Sequence, residues 1–155
     1  MGFFDELKLD PGVYGFNDLK PGNWYNTGAI VVSESHLINF AGISGDFFDI
    51  HMDPIFAKNN GYKDRLAHGL LVLSLIDGLK NRAPVSLKAI ASLEWNEWQF
   101  IAPVYIGDRI LAKITIRDLR VTSNSARGVI RLMFEVINQN DEVVQKGCNH
   151  LLVQR

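Results

Sequence analysis

Cysteine is almost missing from the 155 residues: Cys148 stands alone. One thiol excludes an internal disulfide framework and a multi-thiolate zinc site, so a reducing cytoplasm is the default expectation. Long hydrophobic runs are missing as well. The longest, Leu70 to Ile76 with Ser74 inside it, is far too short for a bilayer, and the stretch from 1 to 20 carries Asp5, Glu6, Asp10 and Asp18 with no apolar core of a signal peptide. Charge excess of either sign is missing too. A formal net charge of −1 gives no electrostatic reason to expect a nucleic acid as partner. No Gly-rich phosphate loop, His-Glu-x-x-His or Gly-x-Ser-x-Gly occurs, which removes common nucleotide, zinc-protease and serine-hydrolase readings. No internal repeat or low-complexity tract interrupts the chain. What is present, 47% apolar and 21% charged residues, suits one globular domain over 1–155.

Pro11, Gly12, Gly15, Pro21 and Gly22 make residues 1–23 read as an irregular arm. A strand is expected from Trp24 to Val32, then a helix capped by Ser33 and running to about Gly42. The segment from Gly45 to Asp53 reads as loop, and Asp53-Pro54 opens a short helix toward Asn60. From His68 to Lys80, Leu70, Leu71, Leu73, Leu75, Ile76 and Leu79 leave almost no polar face, so that helix should be buried nearly all round. Four strand-like runs follow, Leu87 to Phe100, Arg109 to Leu119, Gly128 to Ile137 and Val143 to Val153. Alternation is clearest in Ile110, Ala112, Ile114, Ile116 and in Ile130, Leu132, Phe134, Val136. Together these elements make an α+β domain, an antiparallel curved sheet wrapped around a long central buried helix, which is the shape of a hot-dog fold.

Two places can carry chemistry. Asp46 and His51 share the loop Gly45-Asp46-Phe47-Phe48-Asp49-Ile50-His51, where a carboxylate beside an imidazole can hold a water and move its proton near neutral pH. His68-Gly69 stands at the start of the apolar helix, and a glycine there lets a ligand approach backbone N–H groups that lack intrahelical partners. A thioester carbonyl bound there would be stabilised as it gains negative charge.

These residues resemble the MaoC-like dehydratases and (R)-specific enoyl-CoA hydratases of the hot-dog superfamily. Their signature, a Gly-Asp, four residues, a His, then Asp-Pro and a downstream alanine, reads here as Gly45-Asp46, His51, Asp53-Pro54 and Ala57. The family's His-Gly matches His68-Gly69, and its aromatic, Pro-Val and Gly-Asp strand pair matches Phe100, Pro103-Val104 and Gly107-Asp108. The resemblance implies that Asp46 and His51 activate a water for addition at the β-carbon of a 2-enoyl-CoA while the Gly69 amide binds the thioester oxygen. Run backwards, the same groups dehydrate a 3-hydroxyacyl thioester. It implies no metal and no redox cofactor, with the CoA thioester as substrate, and a homodimer or higher homo-oligomer. Two departures stand out: Phe48-Asp49 replaces the family's frequent Asn-Pro, and Asp77 falls eight residues after Gly69, where some hydratases carry serine; Ser74 lies on another side of the helix.

Phe47, Phe48 and Tyr62, together with His68 and Asp77, are the expected lining of the substrate site. Lys63 and Arg65 would reach CoA phosphates or be solvated. Trp95 and Trp98, three apart on a strand, should face opposite sides, with Trp95 on the side of Glu97. His36 is read as a helix-surface residue, His150 as structural, and Pro103 with Gly107-Asp108 as turn-formers. A hot-dog thioesterase with Asp77 as its acid is the alternative, as is a non-catalytic module that binds an acyl thioester.

Overall fold

Alternating apolar residues in the second half of the chain build the sheet of this computed structural model, which describes residues 7–155. Strands β1 (Gly12–Tyr14), β2 (Trp24–Asn26) and β3 (Ile30–Val31) precede four helices, α1 (Glu34–Ser44), α2 (Asp49–Met52), α3 (Pro54–Asn59) and α4 (Gly69–Lys80). Strands β4 (Val85–Leu87), β5 (Ala89–Phe100), β6 (Arg109–Val121), β7 (Arg127–Ile137) and β8 (Val143–Gln154) complete the fold. The main sheet runs β2-β6-β7-β8-β5, with β3 added to β6, and all of these pairs are antiparallel.

Ile110, Ala112, Ile114 and Ile116 of β6 and Ile130, Leu132, Phe134 and Val136 of β7 are fully buried on one face, as period-2 patterning requires. Val72 and Ile76 of α4 join them in one core cluster, each burial contributing about 1.5–3 kcal/mol. The hot-dog arrangement expected from the sequence is therefore the observed one. Helix α4 is less enclosed than its composition suggests. Leu71, Val72, Ile76 and Leu79 are buried, but Leu70 is 59% exposed at the first turn. A helix docked on a sheet has one side covered, and the opposite side at its start is left open.

Several boundaries differ from the sequence reading. Of the expected arm, residues 1–6 lie outside the described residues; the rest contains β1, which pairs in parallel with β4, and a 3-10 turn at Phe16–Asp18. Phe16 packs over Gly128, where a Cβ would overlap its ring, so a residue without a side chain admits the arm. The strand expected from Trp24 to Val32 is split in two. Between the halves Thr27 interrupts the ladder by accepting the Ala112 N–H on its hydroxyl at 2.9 Å. Helix α1 continues past Gly42 to Ser44 and stops at Gly45, whose φ of 78° is the left-handed conformation favoured by glycine at a helix end. Its N-terminus is closed reciprocally: the Ser33 amide donates to His36 Nδ1 and the His36 amide to Ser33 Oγ, so His36 is a capping residue.

The largest departure lies in β5. Its pairing with β8 shifts register between Asn96 and Gln99, and Glu97 sits at φ 53°. This bulge inserts one residue, so Trp95 and Trp98 fall on the same, inward face. Their rings meet edge to face at 5.3 Å and both reach Phe134. Glu97 is turned to the outer face, where it pairs with Arg131 at 2.6 Å and Arg117 at 3.1 Å.

Candidate active site

Gly45 redirects the chain after α1, and the next residues fold back on themselves. Ser44 Oγ accepts the Asp46 N–H at 3.2 Å, and Asp46 Oδ1 accepts the Phe48 N–H at 3.3 Å. One helical turn, α2, then carries His51, and Asp53 caps α3 by accepting the amides of Ile55 and Phe56. Before α4, Ala67 donates to the Val104 carbonyl at 2.7 Å, and Leu66 bridges Tyr105. The turn that follows is built by Gly107 at φ 93° and by buried Asp108, which accepts from Tyr105 N and Gln139 Nε2. This anchors the segment leading into α4 and fixes where His68 and Gly69 stand.

The two loops bring Asp46, His51 and His68 together: one ligand atom from each lies within 4.8 Å of the others. The His51 and His68 rings stack with centroids 3.9 Å apart, and Phe40 covers His68 at 5.0 Å. His51 Nδ1 lies 2.8 Å from the Leu66 carbonyl. A carbonyl can only accept, so Nδ1 carries the proton and Nε2 keeps a lone pair. His68, 2% exposed, places Nε2 at 2.9 Å from the backbone carbonyl of Asp46, which ties the start of α4 to the Asp46 loop. Burial lowers the His51 pKa below its ordinary 6.5; the Leu66 carbonyl opposes this, the His68 ring adds to it, and the Asp46 carboxylate opposes it more weakly. Two imidazoles and a carboxylate form the one set, among the described residues, with a composition that zinc favours.

A cleft of about 730 Å³ opens beside these groups, and its lining includes Asp46, His51, Tyr62, His68, Gly69 and Leu70 together with the segment 100–104 and Gln145. Gly69 is the first residue of α4, so its N–H has no intrahelical acceptor. The Phe100 ring lies flat against it: a Cβ at Gly69 would come within 2.6 Å of that ring.

Asp46, His51, Tyr62, His68 and Gly69 are thus gathered at one cleft. Phe47 and Phe48 are exposed and do not line it, although Phe48 meets His51 edge-on at 6.4 Å. Asp77 is not brought to the cleft. It pairs with Lys80 at 2.6 Å, about two helical turns from Gly69. Arg65 is held by Glu34 at 2.8 Å, and Lys63 lies over the Tyr105 ring at 4.2 Å. Leu66, Phe40 and Gln145 were not among the expected site residues. Leu66 acts through its carbonyl, which leaves no trace in the sequence, whereas a glutamine in the inward-facing row of β8 is a signal that strand parity could have exposed.

The family model of the MaoC like domain matches residues 18–135. An (R)-specific enoyl-CoA hydratase from Rhodospirillum rubrum is 34% identical over 107 residues, covering 67% of this chain and 70% of the relative. Protein MaoC from Klebsiella aerogenes is 33% identical over 113 residues, covering 73% of this chain but 33% of that longer protein. A crystal structure of a monoamine oxidase regulatory protein from Archaeoglobus fulgius superposes with a TM-score of 0.85 at 26% identity, covering 95% of this chain and 99% of the other. No helix among the described residues is long and apolar enough to cross a membrane. On the match to most of its length, the chain belongs to the MaoC-like domain family.

Proposed function

We propose that this protein adds water reversibly to a 2-enoyl-CoA, giving a 3-hydroxyacyl-CoA. The observation that carries the reading is the convergence of Asp46 and His51 beside the start of α4, with His51 held in the tautomer that leaves Nε2 basic. A water held between the Asp46 carboxylate and His51 Nε2 bonds through its oxygen to the β-carbon as its proton passes to Nε2. Negative charge then collects on the thioester oxygen, where the Gly69 N–H and the dipole of α4 stabilise it. Return of that proton from His51 Nε2 to the α-carbon completes the addition of one water, and the reverse sequence dehydrates a 3-hydroxyacyl thioester. The similarity to the Rhodospirillum rubrum hydratase supports this chemistry. No metal or redox group enters these steps, because the thioester itself acidifies the α-proton.

The thioesterase alternative rests on Asp77 as its acid, and Asp77 pairs with Lys80 away from the cleft. The test is incubation with a short 2-enoyl-CoA while conjugated-thioester absorbance and free thiol are followed together. Loss of absorbance without thiol is expected, and Asp46→Asn or His51→Ala should each slow it at least about a hundredfold. Thiol release at the same rate, or near-wild-type turnover in either variant, refutes the mechanism. We also read the protein as a homodimer: β5 ends the sheet with Ile90 and Leu93 exposed, an edge that a second copy would cover. A monomeric mass in sedimentation at micromolar concentration would remove that part.

A further inference from the structure

We propose that Gln145 is a positioning residue for the anion-binding start of α4, and that the bulge at Glu97 supplies the second hydrogen bond that fixes it. The inference rests on the hydratase reading above. Gln145 is 2% exposed, sits opposite Val136 on the inward face of the sheet and lines the cleft. Its Nε2 donates to the Gly69 carbonyl at 3.1 Å, and its Oε1 accepts from Trp98 Nε1 at 3.0 Å. An indole nitrogen can only donate and a carbonyl can only accept, so the amide has one allowed orientation. A buried amide is costly unless bonded at both ends, and here both ends are engaged.

The Gly69 carbonyl already receives the helical bond from four residues onward. Gln145 occupies its second lone pair and so holds the peptide between Gly69 and Leu70, which limits rotation about the Gly69 backbone and thereby restrains the adjoining peptide that carries the Gly69 N–H. That matters at this residue more than at others in α4. Glycine has no side chain to fix its own backbone, and a donor stabilises a developing charge only when it is already aimed. Gln145 therefore acts on the thioester oxygen indirectly, through the residue proposed to touch it.

Trp98 reaches Gln145 only because β5 is bulged. In an unbroken strand Trp98 would face away from Trp95, whereas the register shift and the left-handed Glu97 turn it inward. Gly147 leaves room for the indole, since a Cβ there would overlap Trp98. The ion pairs of Glu97 with Arg131 and Arg117 hold the bulge from the opposite face of the sheet. A continuous set of contacts thus runs from that outer face through Trp98 and Gln145 to Gly69.

The experiment compares wild type, Gln145→Leu, Trp98→Phe and the double variant by kcat and KM on a short 2-enoyl-CoA and by thermal midpoint. Gln145→Leu should lower kcat roughly ten- to a hundredfold, the cost of slight misplacement at a reacting centre, with KM within about twofold. Trp98→Phe keeps one ring on the inward face but removes the indole N–H with part of the ring system; it should lower kcat less, and the double variant should be no slower than Gln145→Leu. A lower thermal midpoint with unchanged kcat would make Gln145 merely structural. A raised KM with unchanged kcat would make it a substrate contact, and additive losses would break the link to Trp98. Each of these overturns the proposal. Absence of turnover in the wild type removes the hydratase reading and the proposal together, which separates that failure from a normal Gln145→Leu enzyme.

Discussion

Gly69→Ala separates the stability of α4 from its chemistry. The added Cβ would lie 2.6 to 2.7 Å from three carbons of the Phe100 ring, too close for any real contact. Phe100 is 59% exposed, so its ring can swing toward solvent. Loss of that packing is offset by the higher helix propensity of alanine, up to about 1 kcal/mol over glycine. The net stability change should therefore stay within about 1 kcal/mol, a thermal-midpoint shift of roughly 2–4 °C for a chain of this size. Catalysis should suffer far more. The methyl group would crowd the approach of a thioester oxygen to the Gly69 N–H proposed to bind it, and loss of one such donor costs about a hundred- to a thousandfold in kcat, roughly 2.7–4 kcal/mol. Enoyl-CoA hydration followed by absorbance, alongside thermal melting, measures both quantities in one preparation. Adding Phe100→Ala should restore packing freedom without restoring kcat. A Gly69→Ala enzyme within threefold of wild type would refute the assignment of this N–H, and rescue by Phe100→Ala would place the damage in the displaced ring.

The pH dependence follows from His51. Hydration needs its unprotonated Nε2, and burial lowers its pKa, so the acid limb of kcat/KM should have its midpoint below the ordinary 6.5 and approach a tenfold fall per unit beneath it. A midpoint above 6.5 in a rate profile would contradict the buried, Leu66-bonded imidazole. Asp77→Asn removes the charge that pairs with Lys80 but touches nothing in the cleft, so turnover should remain within about twofold. A large loss, measured by the same absorbance assay, would return Asp77 to the site.

The sheet was legible because alternation in β6 and β7 reports directly which side chains are inside, and the core rows fall where that alternation puts them. The meeting of Asp46, His51 and Gly69 at one cleft was legible because their spacing follows the family's motif. Tertiary effects were less visible. Parity placed Trp95 and Trp98 on opposite faces, and one left-handed residue, Glu97, reversed that; a bulge has no reliable signature when the residue adopting it is neither glycine nor asparagine. Asp77 looked near the site by counting along the helix, but rotation and an i,i+3 lysine decide where its carboxylate goes. The aromatic pair Phe47 and Phe48 shows the converse error: closeness in sequence to a site does not aim a side chain into it.

The parallel pairing of β1 with β4 bears on how the chain reaches this state. Strands β6, β7 and β8 follow one another through short turns, so their closure costs little entropy and they can assemble early. Gly12 finds Val85 across the whole helical segment, and that pairing gains little until α4 and the sheet already stand in place. The β1–β4 pairing is therefore expected to form late in folding and to open early. Amide exchange should register it as less protected than the β6–β8 core, outside the cooperative unit that holds the Asp46 and His68 loops.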